Sequence, residues 1–433
     1  MSDKILILGL SKSGISAAKF GVNRGYDIYI TESKKEVNLE QVKELEALGV
    51  KVEYGSHSDE FINGSSFAIT SPGIPPKSEI FQRLQAKGIK IISEVEFAYL
   101  NTDIPFIAIT GTNGKTTTTA LVSHILSKKF SAPVCGNIGV PPTSLISEKH
   151  DFLVLEISSY QAQMTEKFKA KIACWTNFTP DHIDWHGGLE NYFKAKAKIF
   201  LPPQEPEFAV LNAKDEKLVE FSKECNNVVF FDKTEGCGIA DSAIYYKNEE
   251  IIKLSDCPLV GHHNYQNIMC GIIIAKLVGM NNSDIREQIM SFRAPEHRLE
   301  KVREMNGITF YNDSKATNPE ASIVAIESFN NVDVVLILGG RDKNTDLTEM
   351  CHSINKHIKT VLLIGEATER FEENLKKNGF SNIIKERTLE SAIDKAISLN
   401  PDVVLLSPAC ASFDMFKSYE HRGEVFKNYV LSK

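Results

Sequence analysis

The chain has 433 residues, 42% hydrophobic and 24% charged, with a formal net charge of -7; such a composition belongs to a globular protein too long for a single core. The acidic balance argues against nucleic acid as partner, whose footprint is a basic face, yet leaves room for a nucleotide at a local positive site. No apolar run approaches the roughly 18 residues of a membrane span, no basic segment and apolar stretch mark a leader, and the eight cysteines include no Cys-x-x-Cys pair, so the expectation is a cytoplasmic chain with no disulfide framework or zinc site.

In chain order, short apolar runs bounded by turn or polar residues fall at 5–8, 27–30, 67–69, 106–109, 152–155, 172–175, 209–211, 334–338, 361–364 and 403–406. Continuous runs of this length read as buried strands of parallel sheets covered on both faces. Helical patterns at 39–48, 94–100 and 117–127 lie between them. The alternation predicts an α/β fold with more than one parallel sheet. Three blocks are expected, at 1–93, 94–297 and 298–433, and the short alternating runs within 236–257 predict an antiparallel hairpin on the middle block.

The strongest local signal opens the middle block. A strand at 106–109 runs into Gly111-Thr112-Asn113-Gly114-Lys115-Thr116-Thr117 and a helix follows. Backbone N–H groups at such a helix start wrap a phosphate chain. Lys115 supplies a point charge for the β- and γ-phosphates, and the Thr116 hydroxyl is placed for Mg2+. The loop departs from the standard P-loop spelling, whose first glycine would fall at Ile109. A weaker signal follows the first strand: Gly9-Leu10-Ser11-Lys12-Ser13-Gly14 opens a helix as a dinucleotide fingerprint does, but Ser11 replaces the middle glycine. Glu32 ends the second strand near where a ribose-binding acid would lie. An NAD-dependent oxidoreductase, a Rossmann-like module without dinucleotide, and a UDP group at the same crevice all remain open, and the last sits best beside an ATP site.

Further motifs follow in order. They are 110–116, Gly136-Asn137-Ile138-Gly139, 156–161, 177–182, 192–196, 262–267, His297-Arg298, 312–318 and 406–419. Together they resemble the Mur ligase family, from Ile5 to the C-terminus. The 406–419 block is similar to D-glutamate-adding members. Asn113 differs from the histidine of L-alanine-adding members, and no Asp-Asn-Pro-Arg run marks a diaminopimelate-adding one.

The resemblance implies three domains: an N-terminal Rossmann-like UDP-binding domain, a central P-loop ATPase-type domain with a mostly parallel sheet, and a C-terminal Rossmann-like domain for the amino acid. It implies a monomeric ATP-dependent ligase of peptidoglycan synthesis, with UDP-N-acetylmuramoyl-L-alanine and D-glutamate as substrates and an acyl phosphate and tetrahedral intermediate between them. Lys115, Glu156, His182 and Lys196 would be catalytic. ATP would be held by 111–117 with Asn264, Asn267, Arg298 and Asp313. Thr116, Glu156, His182 and Lys196 would hold two Mg2+, with Mn2+ as the alternative ion and Lys196 as a CO2-derived carbamate. Lys194 and Lys198 lie two residues from Lys196 and would project from other helix faces. The UDP-substrate would meet Ser11, Lys12, Ser13, Glu32, Ser33, Ser71, Gly73, Asn137 and His182. D-Glutamate would meet Lys315, Thr317, Lys343, Ser412, Phe413 and Tyr419, where Phe413 and Tyr419 depart from the leucine and phenylalanine of a related member. A ligase with another amino acid, including a folylpolyglutamate-like enzyme, is the alternative within the class. A nucleotide-dependent switch is the alternative outside it, and accounts for the phosphate loop and its metal site alone.

Overall fold

A computed structural model describes residues 3–181, 183–259, 261–293, 296–329, 332–342 and 345–433. The chain forms two compact units, one of Met1–Cys257 with Gln266–Ser291 and one of Pro258–Tyr265 with Phe292–Lys433.

The first unit holds two sheets. Strands β1 (Lys4–Leu8), β2 (Asp27–Glu32), β3 (Lys51–Tyr54), β4 (Phe67–Thr70) and β5 (Lys90–Ser93) are all parallel, in the spatial order β3-β2-β1-β4-β5. The order reverses at β1, and the crevice beyond strand ends at such a switch point is where open α/β sheets take ligands. The second sheet contains β6 (Phe106–Thr110), β7 (Val134–Gly136), β8 (Leu153–Glu156), β9 (Ile172–Trp175), β10 (Phe208–Asn212), β11 (Val228–Phe231), β12 (Cys237–Ala240), β13 (Ala243–Tyr246) and β14 (Glu249–Lys253). Its order is β14-β13-β12-β11-β10-β9-β6-β8-β7, parallel from β7 to β12 and antiparallel from β12 to β14. The expected hairpin within 236–257 is thus three antiparallel strands that extend the sheet at one edge.

The second unit has one six-stranded sheet. It contains β15 (Glu300–Met305), β16 (Ile308–Asn312), β17 (Val334–Gly339), β18 (Thr360–Ile364), β19 (Ile383–Lys385) and β20 (Val403–Leu406), in the order β15-β16-β20-β17-β18-β19. Only the β15–β16 pair is antiparallel. Each of the ten expected apolar runs forms a strand. The strands outside those runs include edge pieces such as β3, Lys-Val-Glu-Tyr, and β19, and also the interior strands β11, Val-Val-Phe-Phe, and β16, Ile-Thr-Phe-Tyr-Asn. No described helix is long and apolar enough to cross a membrane.

The segment that leaves β5 fastens the two sheets of the first unit together. Phe97 packs edge-on against Phe20 at 5.8 Å, within a core that runs through Ile5, Ile28, Phe106, Leu153 and Trp175. The buried Glu96 carboxylate accepts the N–H groups of Glu166, Lys167 and Phe168 at 2.9, 2.7 and 3.0 Å. Glu94 Oε1 accepts from Thr143 N at 2.7 Å and Thr143 Oγ1 at 2.6 Å, and Ser16 Oγ lies 2.8 Å from the same hydroxyl. Burial pushes the Glu94 carboxyl up to about 7, although both Thr143 hydrogen bonds pull it down.

The Glu94 proton has a thermodynamic consequence. The unfolded chain releases it near 4.5 and the folded chain near 7, so stability is greatest below 4.5 and falls as pH rises to about 7. Glu94→Gln mimics the protonated acid and keeps the Oε1 acceptor. Urea unfolding is expected to show the variant gaining on the wild type between pH 5 and pH 8, approaching about 3 kcal/mol. Parallel pH profiles for the two proteins would contradict a neutral buried Glu94.

Candidate active site

The phosphate loop leaves the C-terminal end of β6, between β8 and β9. Gly111 has φ +145°, and a Cβ there would lie 1.9 Å from Thr176 Oγ1; Gly114 has φ +82° and would meet Asn267 Oδ1 at 2.7 Å. Only glycine tolerates both the backbone and the approach. Gly114 caps the helix Lys115–Leu126, whose Thr116 and Thr117 are buried. Lys115 folds back over the loop and donates to Gly111 O at 3.0 Å and Thr112 O at 2.7 Å. Thr118 Oγ1 donates to Asn267 Oδ1 at 3.0 Å, which brings one predicted nucleotide contact to the loop.

Glu156 ends β8, one strand from the loop, and is only 1% exposed. Its Oε1 accepts from Asn137 Nδ2 at 2.7 Å. Asn137 is placed by the turn after β7, where a Cβ on Gly136 would sit 2.3 Å from Glu156 O. Glu156 Oε2 is buried and has no hydrogen-bond partner among the described residues. A buried carboxylate oxygen in that state is costly unless a cation meets it. A hard oxygen-seeking ion fits: Glu156 and the Thr116 hydroxyl are oxygen donors of the type that Mg2+ takes. No cluster of three or more His, Cys, Asp or Glu residues able to hold a metal occurs among the described residues. His182 lies outside them.

Lys196 is buried at 1% exposure on the helix Leu189–Ala197 and donates to Gly111 O at 2.7 Å. Its Nζ also lies 4.8 Å from the centre of the Tyr192 ring. Burial, then the charge of Lys115, holds its amine well below the usual lysine range, against the opposing pull of Asp181 and Glu156. The neighbouring lysines behave differently. Lys194 is exposed and pairs with Glu190 at 3.5 Å, while Lys198 donates to Gln163 O at 2.9 Å.

Ser11, Ser13 and Ser71 meet at the switch point of the first sheet. Ser11 Oγ lies 2.6 Å from Ser71 Oγ and 3.0 Å from Ser13 Oγ, and it caps the helix Lys12–Asn23. Glu32 Oε2 accepts from Leu10 N at 3.1 Å, so this acid shapes the fingerprint loop. Its Oε1 accepts from Ser33 Oγ at 3.2 Å. Lys12, Ser33 and Gly73 are exposed around the same strand ends.

In the second unit, Asp313 follows β16 and is pushed up to about 7 by burial, opposed by the Ser407 hydroxyl, Arg298, the Leu299 N–H and Arg422. Its Oδ2 accepts from Ser407 Oγ at 2.8 Å and its Oδ1 from Leu299 N at 3.2 Å. Asn264 is buried in this unit. Lys315 Nζ sits 5.6 Å from the centre of the Tyr419 ring, with Thr317 two residues on. Ser412 Oγ is buried and has no hydrogen-bond partner among the described residues, next to Phe413, which is 64% exposed. Lys343 lies outside the described residues.

Two residues of these sites have no sequence signal. Arg422 is fully buried and donates to Ser314 Oγ at 2.9 Å, Ser314 O at 2.8 Å and Cys410 O at 3.1 Å. It thereby ties the Asp313–Lys315 turn to the turn before Ser412. His186 Nε2 lies 3.0 Å from Ser159 Oγ, and its ring stacks on Tyr160 at 5.4 Å, which braces the segment after Asp181. An arginine or histidine on a helix is solvated in most sequences, and nothing local marks these as buried.

Comparison with known proteins matches three family models in succession. Residues 3–93 match the Mur ligase MurD-like N-terminal domain, 109–275 the Mur ligase middle domain, and 297–410 the Mur ligase glutamate ligase domain. A protein of Caldanaerobacter subterraneus subsp. tengcongensis called UDP-N-acetylmuramoylalanine--D-glutamate ligase is 37% identical, covering 99% of this chain and 98% of its own. A Koribacter versatilis protein of the same name is 39% identical, over 99% and 97%. Among solved structures, MurC of Thermotoga maritima aligns at TM-score 0.61 with 20% identity over 99% of this chain and 100% of its own. MurF of Acinetobacter baumannii aligns at 0.63 with 16% identity, over 99% and 93%; these two carry the fold. With the family models covering most of its length and full-length relatives near 40% identity, the chain belongs to the Mur ligase family.

Proposed function

We propose that the chain is an ATP-dependent ligase that joins D-glutamate to UDP-N-acetylmuramoyl-L-alanine in peptidoglycan precursor synthesis, in the cytoplasm and as a monomer. Its partners are these small molecules, with no nucleic acid and no membrane insertion. The observation that carries the reading is the buried Glu156 Oε2, without a hydrogen-bond partner among the described residues and one strand from a Gly-Lys-Thr phosphate loop, since an acid that needs a cation beside a phosphate site is the equipment of phosphoryl transfer. The name shared by the full-length relatives supports D-glutamate as the added residue.

The chemistry follows from the carboxylate. A carboxylate and an amine do not condense in water at neutral pH, because oxide is not a leaving group. Transfer of the γ-phosphoryl of ATP to the alanyl carboxylate gives an acyl phosphate and ADP. The D-glutamate amine attacks its carbonyl, the tetrahedral intermediate expels phosphate, and an amide remains. Charge moves among phosphate oxygens, so oriented donors and cations serve better than a protein nucleophile. Lys115 neutralises the transferred group. Mg2+, or Mn2+, would be held by Thr116, Glu156, His182 and Lys196 and would supply further charge neutralisation. Lys196 suits the family's carbamate because its surroundings favour the neutral amine, the form that adds CO2. Residues 1–93 bind the UDP moiety, 94–297 bind ATP, and 298–433 bind the amino acid. Ser11, Ser13, Ser71 and Gly73 ring the UDP crevice with Lys12, Glu32 and Ser33, and Asn137 serves by orienting Glu156. Asn264, Asn267, Arg298 and Asp313 receive the nucleoside. Lys315, Thr317, Lys343, Ser412, the Phe413 N–H and Tyr419 receive the two carboxylates of D-glutamate. Exclusion of water protects the acyl phosphate.

Phosphate release from ATP, measured with UDP-N-acetylmuramoyl-L-alanine and each of D-glutamate, L-glutamate, L-alanine and a diamino acid, tests the reading. Release with D-glutamate alone is expected. Release with another amino acid would overturn the specificity, and none with any of them would bring the switch reading forward. Lys196→Ala should lose on the order of 100-fold in rate, as loss of a metal-site ligand does, and regain activity with short-chain carboxylic acids. A fully active Lys196→Ala would contradict the role.

A further inference from the structure

The backbone of the phosphate loop is not self-supporting. We infer that Asn177, assisted by Thr176, fixes its shape and is a positioning residue for ATP. This inference rests on the reading of 110–117 as an ATP loop.

The geometry is a side chain imitating a β-strand partner. Asn177 Oδ1 accepts from Asn113 N at 2.9 Å, and Asn177 Nδ2 donates to Asn113 O at 3.1 Å. One amide thus satisfies both polar groups of Asn113's main chain. The Asn177 carbonyl accepts from Thr112 N at 3.0 Å and from Trp175 Nε1 at 3.1 Å. Thr176 Oγ1 donates to Asn113 O at 2.6 Å, and Thr112 Oγ1 donates to Thr179 O at 3.0 Å. The strut is itself anchored from the next strand: Asn212 Nδ2 donates to Thr176 O at 3.0 Å, and Phe178 N donates to Asp215 Oδ2 at 2.6 Å.

Two consequences follow. The N–H groups of Thr112 and Asn113 are committed inside the protein, so the phosphate cradle is left to the first turn of the helix Lys115–Leu126, where the helix start favours an anion. The loop is also held against the Thr176 side chain, which is why residue 111 has no Cβ. The same strut runs on to Asp181, whose charge acts on Lys196. Loop shape and the metal-side residues are therefore set by one segment. Asparagine is required at 177, because aspartate has no donor for Asn113 O and would place a negative charge beside the phosphates.

Calorimetric titration of MgATP onto the full chain, alongside steady-state kinetics, tests the role. Asn177→Ala should weaken ATP about tenfold or more, the effect of two lost hydrogen bonds, and raise KM for ATP while KM for the other two substrates stays within about twofold. Asn177→Asp should be at least as impaired. Thr176→Ser keeps the hydroxyl and should bind as the wild type does, whereas Thr176→Val should bind several-fold more weakly. Lys115→Ala is the reference arm. If it weakens ATP and Asn177→Ala does not, the positioning role is overturned and the loop reading stands; if Lys115→Ala binds ATP normally, the loop reading falls and this inference with it. A rise in KM for all three substrates would mark general damage and overturn the role. Should Asn177→Ala fail to fold, the Thr176 pair decides, and equal affinities for Ser and Val overturn the inference.

Discussion

The carbonyl of Gly111 is the point on which the active region turns. It accepts from Lys115 at 3.0 Å and from Lys196 at 2.7 Å. Two ammonium groups on one oxygen repel each other, and the repulsion is strong where water is excluded. Lys115 is half-buried and Lys196 is buried, so burial first and the charge of Lys115 second lower the affinity of Lys196 for its proton. A core amine of lowered proton affinity, coupled to the charge of Glu156, whose Oε2 has no hydrogen-bond partner among the described residues, is a site suited to gaining charge.

The sheet makes that meeting inevitable. β6 lies between β8 and β9, so the loop after Thr110, the carboxylate of Glu156 and the strut after Trp175 emerge side by side. Gly136 lets the turn after β7 come close enough for Asn137 to orient Glu156. The first sheet contributes its own strand-end crevice, and the segment bearing Glu94 and Glu96 fixes it to the second through buried carboxylates. Hydrogen bonding to backbone N–H is what lets those acids be buried at all.

Much of this was legible in the residues. Most interior strands of the parallel sheets are continuous apolar runs and announce themselves, although the interior β11 and β16 lie outside the expected runs, and the Gly-rich turn before Lys115 marks the phosphate loop without reference to any relative. Facing arguments on a helix separate Lys196 from Lys194 and Lys198, and burial agrees: Lys194 is exposed and Lys198 serves a distant carbonyl. The parts that stayed hidden share one property, partners far away in sequence. Asn177 meets Asn113 across 64 residues, and Arg422 meets Ser314 across 108. No periodicity encodes such pairs, and edge strands such as β3 carry too few apolar residues to be marked by burial. The fate of Glu94 was equally invisible, because a glutamate at a helix start reads as a favourable charge for the helix dipole until Thr143 and the core are seen around it.

The measurement closest to the central claim is carbon-13 NMR of the protein incubated with labelled bicarbonate, Mg2+ and ATP. A carbamate resonance that disappears in Lys196→Arg, with Lys194→Arg and Lys198→Arg retaining it, is the predicted result. No carbamate signal in the wild type, or one that survives Lys196→Arg, would contradict the account of Lys196 as the buried amine that turns into an anionic ligand.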